Sequence, residues 1–329
     1  MGRRSRSPIA LFLLGACSGP QNSLDTAGAQ ASEVATLWWV MLALSVAVII
    51  LVTAFTLTAL LRGSRDDDLE RQDRRSRPIV VASAGATVAI LLVVFFYSMV
   101  VSRSASALQT ADALEVEIIG NQWWWDVMYV DSIPARSFRT ANELHLPAGR
   151  SVRLRLTSRD VIHSFWAPNI HGKLDLIPGQ ENTLYVRADR PGVYRGQCAE
   201  FCGLQHAKMA FDVVVHEPAE FEEWLALQRQ PAAPPANSIT RFGQEVFLGT
   251  ACATCHAVRG TMANAVVGPD LTHLASRMSL AAGSVPNTRG HLAGWLADPQ
   301  GIKPGNHMPR VRLDSDALTA LLAYLGTLR

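Results

Sequence analysis

A membrane hairpin of two helices, then a small all-β domain, then a short loop-rich domain closed by a helix, is the multidomain architecture this sequence predicts. Three features predict it: two charge-free apolar runs near the N-terminus, a middle region of short β-type stretches, and a final region with helical apolar spacing at its end. The 329 residues suffice for two folded domains plus accessory segments. The 49% hydrophobic share is concentrated in the two apolar runs, and the remainder reads as ordinary soluble protein. With a net charge of +2 and arginines interspersed with acids, no basic face for nucleic acid is present and no nucleic-acid partner is expected.

Residues 1–16 combine a basic start (Arg3, Arg4, Arg6), a short apolar run at 9–14, and the small residues Gly15 and Ala16 before Cys17. That pattern is a signal peptide. Leu14-Gly15-Ala16-Cys17 resembles the bacterial lipobox, which implies cleavage before Cys17 and lipid attachment to its thiol; a plain secretory signal is the alternative.

The apolar runs at 37–61 and 79–101 contain no charged residue. Each exceeds the roughly 30 Å of hydrocarbon a helix must cross at about 1.5 Å per residue. Two such runs joined by a short charged loop read as a transmembrane hairpin (17–104) rather than buried core helices. The loop holds Arg62, Arg65, Arg71, Arg74, Arg75 and Arg77, whereas residues 18–36 contain no Lys or Arg. The loop is therefore expected on the cytoplasmic side. Both ends of the mature chain, and everything after Val101, are then extracytoplasmic, which places the chain in a bacterial plasma membrane with its soluble part in the periplasm.

From about 112 to 227 the β-type stretches are 114–119, 151–157, 182–187, 192–197 and 211–215, separated by Pro147-Ala148-Gly149, Pro178-Gly179 and Pro191-Gly192. They suggest a small β-sandwich or barrel. The five cysteines fall into three settings: Cys17, Cys198 with Cys202, and Cys252 with Cys255. The second lies in Cys198-Ala199-Glu200-Phe201-Cys202-Gly203-Leu204-Gln205-His206-Ala207-Lys208-Met209, with His163 upstream. Two thiolates, two imidazoles and a thioether are a soft donor set that suits copper over magnesium or calcium. A mononuclear blue copper site needs one Cys; a second, four residues on, suggests two coppers bridged by both thiolates. A disulfide and a zinc site remain open alternatives at this point.

The pattern C-x-E-x-C-G-x-x-H-x-x-M with an upstream His resembles the dinuclear copper (CuA) motif of cytochrome c oxidase subunit II. The resemblance continues through Asp160-Val161-Ile162-His163-Ser164-Phe165-Trp166, Lys173, Asp175, Ile177-Pro178-Gly179 and Arg190-Pro191-Gly192. It implies a cupredoxin-like barrel in which His163, Cys198, Cys202, His206 and Met209 supply side-chain ligands and Glu200 its main-chain carbonyl. The Glu200 carboxylate is implied to face a magnesium ion shared with subunit I. Gly120-Asn121-Gln122-Trp123-Trp124-Trp125 matches the aromatic segment where electrons enter in that family, which points to Trp123. On a strand, Trp123 and Trp125 share one face and Trp124 takes the other. Three large rings in a row cannot easily all be internal in a small barrel, so an exposed or interface-facing ring is expected. The sequence departs from many relatives at the start of the second helix: Arg77-Pro78-Ile79-Val80-Val81 lacks the glutamate that takes part in proton uptake. This argues against a proton-uptake role for the chain.

Residues 228–238 (QRQPAAPPANS), after an amphipathic segment at 218–227, read as a semi-rigid extended linker that holds the next domain near the first. Domain 239–329 carries Cys252-Ala253-Thr254-Cys255-His256. C-x-x-C-H reads as c-type haem attachment, with two thioether bonds and an axial imidazole; a thioredoxin-like pair would follow a strand of a larger α/β domain. The sixth iron ligand should lie well along the chain, and Met262 is too close to His256. Lys303-Pro304-Gly305-Asn306-His307-Met308-Pro309 resembles the axial-methionine loop of class I cytochromes c, and Gly268-Pro269-Asp270-Leu271 resembles the segment shielding the proximal histidine. The resemblance therefore implies an all-α cytochrome c domain with Met308 as ligand; Met278, His273 and His307 are the rivals.

Taken together, the resemblance is to oxidase subunit II with a fused cytochrome c domain. It implies a relay of electrons from the fused haem, through CuA, to haem a of subunit I, where oxygen is reduced and protons are pumped. Expected partners are subunit I, subunit III, and cytochrome c or another upstream donor. The rival readings are a CuA-containing reductase such as nitrous oxide reductase and a membrane-tethered copper carrier; the hairpin and the fused haem motif disfavour both.

Overall fold

The computed structural model describes residues 19–62, 69–104, 110 and 112–329. The signal segment and Cys17 lie outside the described residues. The chain divides into a membrane-type helical unit (32–108) and a second unit containing both remaining domains.

In the first unit, α1 (Ala29–Arg62) and α2 (Leu69–Ser104) extend past the apolar runs at their ends. Both are long and apolar enough to cross a membrane. Leu51, Phe55, Leu60, Ile79, Val93 and Phe96 are exposed along them. Exposed apolar surface on that scale is untenable in water but is what a bilayer solvates.

The middle domain is a sandwich of two five-stranded sheets. Its strands are β1 (Leu114–Asn121), β2 (Trp124–Val130), β3 (Phe138–Ala141), β4 (Glu143–Pro147), β5 (Val152–Ser158), β6 (His163–Trp166), β7 (Leu174–Leu176), β8 (Asn182–Val186), β9 (Gly192–Cys198) and β10 (Ala210–His216). The sheet orders are β3-β2-β1-β5-β8 and β4-β10-β9-β6-β7, with β1/β5 and β4/β10 pairing parallel. This mixed Greek-key arrangement is a cupredoxin-like barrel. Period-2 alternation sets the inner face: Val152, Leu154 and Leu156 of β5 are buried while Arg153 and Arg155 point outward. The sequence signals marked five of these ten strands. β4 escaped because all five of its residues are buried, so it shows no alternation. β6 and β7 escaped because they are four and three residues long.

Helix α3 (Pro218–Gln228) starts on Pro218 and packs Phe221 and Leu225 onto the barrel. After a turn at 229–230, residues 231–236 form no helix or strand, as their proline content predicts, but they do not hang free. Ala232 N–H donates to the Arg259 carbonyl (2.9 Å), and the Arg259 guanidinium donates to the Gln228 carbonyl (2.6 Å). The tether is laid along the last domain.

That domain is helical apart from a two-residue ladder: α4 (Ser238–Gly249), α5 (Cys252–Cys255), α6 (Arg289–Ala297), α7 (Pro299–Ile302) and α8 (Ser315–Leu325). Asn237 and Thr240 form a capping box that starts α4, and the Asp314 carboxylate caps α8. The core sits where α4 crosses α8, around Phe247, Leu321, Tyr324 and Leu325. The crossing is close because Gly243 has no side chain: a Cβ there would lie 2.0 Å from the Ala320 carbonyl oxygen and 2.7 Å from Tyr324 Cβ. Gly243→Ala is therefore expected to lower the stability of this domain by about 1–3 kcal/mol, toward the upper end, because the nearest obstructing atoms are backbone. Thermal unfolding of the holoprotein followed in the Soret region checks this; an unchanged midpoint would show that the helices separate at no cost.

Candidate metal centre and cofactor pocket

Strand β6, the end of β9 and the loop leading to β10 converge at one end of the barrel. His163 opens β6, Cys198 closes β9, Cys202 and His206 sit in the loop, and Met209 immediately precedes β10. The Cys198 and Cys202 sulfurs are 3.8 Å apart and not disulfide-bonded. Around them stand His163 Nδ1 (3.8 Å from Cys198 Sγ), the Glu200 carbonyl (3.2 Å from Cys198 Sγ), His206 Nδ1 (3.7 Å from Cys202 Sγ) and Met209 Sδ (3.8 Å from Cys202 Sγ). Two donors on one tetrahedral ion, with bonds of about 2.0–2.3 Å to nitrogen and sulfur, stand roughly 3.5–3.8 Å apart. The cluster thus has the spacing of a ligand set. His163, Cys198, Cys202 and Met209 are buried, His206 is half-buried, and the Glu200 side chain is exposed.

The electrostatics agree with a cation at this place. Two thiolates this close repel, and the pair splits: the contact with Cys202 pulls the Cys198 thiol far below its usual range, while the same contact, with burial, pushes Cys202 well above it. Both sulfurs ionise together only with positive charge between them. Asp160, three residues before His163, was not singled out for a role from sequence. Its carboxylate contacts His163 Nε2 at 2.8 Å and leaves Nδ1 facing the sulfurs. A carboxylate on the outer nitrogen is the usual way to orient a metal-binding imidazole.

The second site is a cavity of about 280 Å³ in the last domain, where it meets the barrel. Cys252, Cys255 and His256 line it from the single turn of α5 and the residue after it, and Met308 lines it from the loop before α8. Leu271, Leu274, Leu292, Trp295 and Leu321 make much of the wall apolar. Both thiols are free. His256 Nδ1 contacts the Pro269 carbonyl at 2.8 Å, and burial lowers its pKa, so the imidazole stays neutral. Gly268 permits this approach, since a Cβ there would fall 2.7 Å from the His256 ring. Arg277, buried on the same wall, has an Nε with no partner. An apolar cleft with two thiols, a neutral imidazole, a thioether and an unmatched cationic donor suits a flat, anionic macrocycle. Two of the three rival ligands are elsewhere: Met278 is substantially exposed and does not line the cavity, and His273 is buried with Nε2 on the Gln230 carbonyl. His307 lines the cavity beside Met308.

Between the two sites stands Trp123. It lies in the turn joining β1 to β2, not on a strand, so it does not share a strand face with Trp125. None of the three rings is exposed. Trp125 is in the barrel core, Trp124 is half-buried, and Trp123 is 6% exposed, packed with the barrel core and against His307 of the last domain. Its indole N–H donates to the Cys202 carbonyl (2.9 Å), and its ring lies 5.4 Å from that of His307.

Comparison with known proteins matches both halves of this arrangement. Residues 132–217 match the family described as "Cytochrome C oxidase subunit II, periplasmic domain", and residues 241–329 match "Cytochrome c". A cytochrome c oxidase subunit 2 from Alkalihalophilus pseudofirmus is 31% identical over 98% of this chain and 95% of its own length. The chain belongs to the cytochrome c oxidase subunit 2 family. Another subunit 2, from Bacillus subtilis, is 32% identical over 66% of this chain and 63% of its own. The solved periplasmic domain of subunit II from Bradyrhizobium japonicum, 31% identical, covers 37% of this chain and 96% of that one, with a TM-score of 0.35. This subunit II thus carries a cytochrome c domain in the same chain as the periplasmic domain of a cytochrome c oxidase subunit.

Proposed function

We propose that this subunit relays electrons from its own cytochrome c domain, through a dinuclear copper centre, to subunit I of a cytochrome c oxidase that reduces oxygen to water and pumps protons. The observation that carries this reading is the position of Trp123, which hydrogen-bonds to the Cys202 carbonyl on one side and meets the His307–Met308 loop on the other. In this reading His163, Cys198, Cys202, His206, Met209 and the Glu200 carbonyl hold two coppers, and Cys252, Cys255, His256 and Met308 hold haem c. When bound, these groups supply one-electron redox chemistry at sites the chain keeps close together.

The chain's own residues do the positioning. Asp160 fixes the His163 ring, Pro269 fixes His256, and the apolar wall keeps water from the haem site. Burial of the sulfur cluster does the same for copper. Because Trp123 is covered, an external donor reaches the chain at the cytochrome c domain rather than at this ring. In this reading the Glu200 carboxylate, which is exposed, faces a magnesium ion at the subunit I boundary. The arginine-rich loop sets the hairpin with that loop in the cytoplasm and both soluble domains, with Cys17, outside. The domains are 17–104, 112–227 and 239–329, joined by 228–238; subunit III completes the expected partners.

Trp123→Ala is expected to slow transfer from haem to copper at least tenfold while leaving metal and haem content unchanged, because it removes the ring that spans the two sites. Flash reduction of the haem, with copper followed optically, checks this. An unchanged rate would move the path off this ring.

A further inference from the structure

Lys303 is a buried lysine with no part in either ligand set. It is 3% exposed, and its Nζ donates to three main-chain carbonyls: Trp123 (2.7 Å), Lys208 (2.9 Å) and Ala281 (3.2 Å). An ammonium has three N–H donors, and each is matched here. Two of the acceptors belong to the copper domain and one to the cytochrome c domain, so this one cation closes a contact across the boundary. Beside it, Gln205 Nε2 donates to the Pro304 carbonyl (2.6 Å) and Lys208 Nζ to the Ile302 carbonyl (2.5 Å). Residues 302–304 are thereby gripped by the loop that carries His206 and Met209, a few residues before Met308.

We propose that Lys303 is the positioning residue that latches the Met308 loop onto Trp123 and so holds the two domains in the arrangement that transfers electrons. The inference deepens the proposed relay and rests on it. Lys303 acts on the difference between docked and undocked states. With the domains apart, water satisfies the Trp123, Lys208 and Ala281 carbonyls. Docked, the Trp123 carbonyl is buried against Nζ and the Lys208 carbonyl is part-buried against it, while Ala281 also accepts from Ser284 Oγ (2.7 Å), so the cost of losing Nζ falls on the two carbonyls of the copper domain. Replacing Lys303 with an apolar side chain therefore penalises the docked state alone and shifts the population toward separated domains that the 228–238 tether keeps from diffusing away.

The test uses the assembled oxidase with Lys303→Met, a substitution that keeps length and removes the donors. Flash-induced haem-to-copper transfer is expected to slow at least tenfold and to become dependent on viscosity when glycerol is added, because re-docking now limits it. Haem content, the far-red sulfur-to-iron band and the copper EPR signal should be unchanged. An unchanged rate, or a slower one indifferent to viscosity, would overturn the latch. If the variant loses haem or copper, amine acetylation of the wild-type oxidase decides instead: Lys303 should be protected relative to the exposed Lys173, and equal labelling would overturn the proposal. A wild type with no haem-to-copper transfer would refute the relay itself, while the acetylation arm would still decide whether Lys303 is latched.

Discussion

Cys202→Ser is expected to abolish the mixed-valence copper signal while leaving the haem attached. Cys202 is the hub of the cluster: its sulfur is within 3.8 Å of Cys198 Sγ, His206 Nδ1 and Met209 Sδ, and among the described residues no other thiol contacts the last two donors. A serine hydroxyl is a harder donor, does not ionise near neutral pH and is a poor bridge between soft ions. The haem side should be untouched, because Cys252 and Cys255 lie on α5 of the other domain, in a separate cavity. EPR and copper-to-haem stoichiometry check the result. Wild-type protein with one copper or none per haem after full reconstitution would refute the dinuclear assignment outright.

The second large effect is expected from Met308→His. Met308 and His256 line one cavity, and Met308 N–H is tied to the Asn306 carboxamide oxygen (2.8 Å), so the loop holds its position. A thioether favours reduced iron, and imidazole favours the oxidised form. The midpoint should therefore fall by on the order of 0.1 V or more, within the ~0.8 V range that axial ligands span. The far-red sulfur-to-iron band should disappear. A variant with an unaltered spectrum would exclude Met308 and turn attention to His307, the rival that shares the cavity.

Much of this architecture is legible in the sequence, and what is not follows a physical pattern. The hairpin declares itself through composition, and strands such as β5 and β9 through alternation and flanking Pro-Gly turns. The copper motif is legible because Cys198 to Met209 is one short loop, and the haem motif because it is a single turn. Contacts between distant segments are not. Asp160 on His163 had a local signal, three residues upstream, but nothing in that spacing specifies which ring nitrogen it takes. Lys303 lies 180 residues from Trp123, and Glu143, which accepts from Met278 N–H, is 135 residues from it. The burial of Trp123 belongs to the same class: part of what packs on it, His307, is supplied by a domain far along the chain. Likewise the composition of 228–238 announces an extended tether, but not that Arg259 and His273 hold it down.

If electrons pass inside this one chain, from the cytochrome c domain to the copper cluster, their transfer cannot depend on how often two molecules meet. Flash reduction of the haem in the purified oxidase, repeated over a wide range of protein concentration, tests this most directly. Copper should be reduced in a first-order step whose rate constant is the same at every concentration, since the tether replaces a diffusional encounter. A rate that rises in proportion to concentration, or a haem that stays reduced beside oxidised copper, would contradict it.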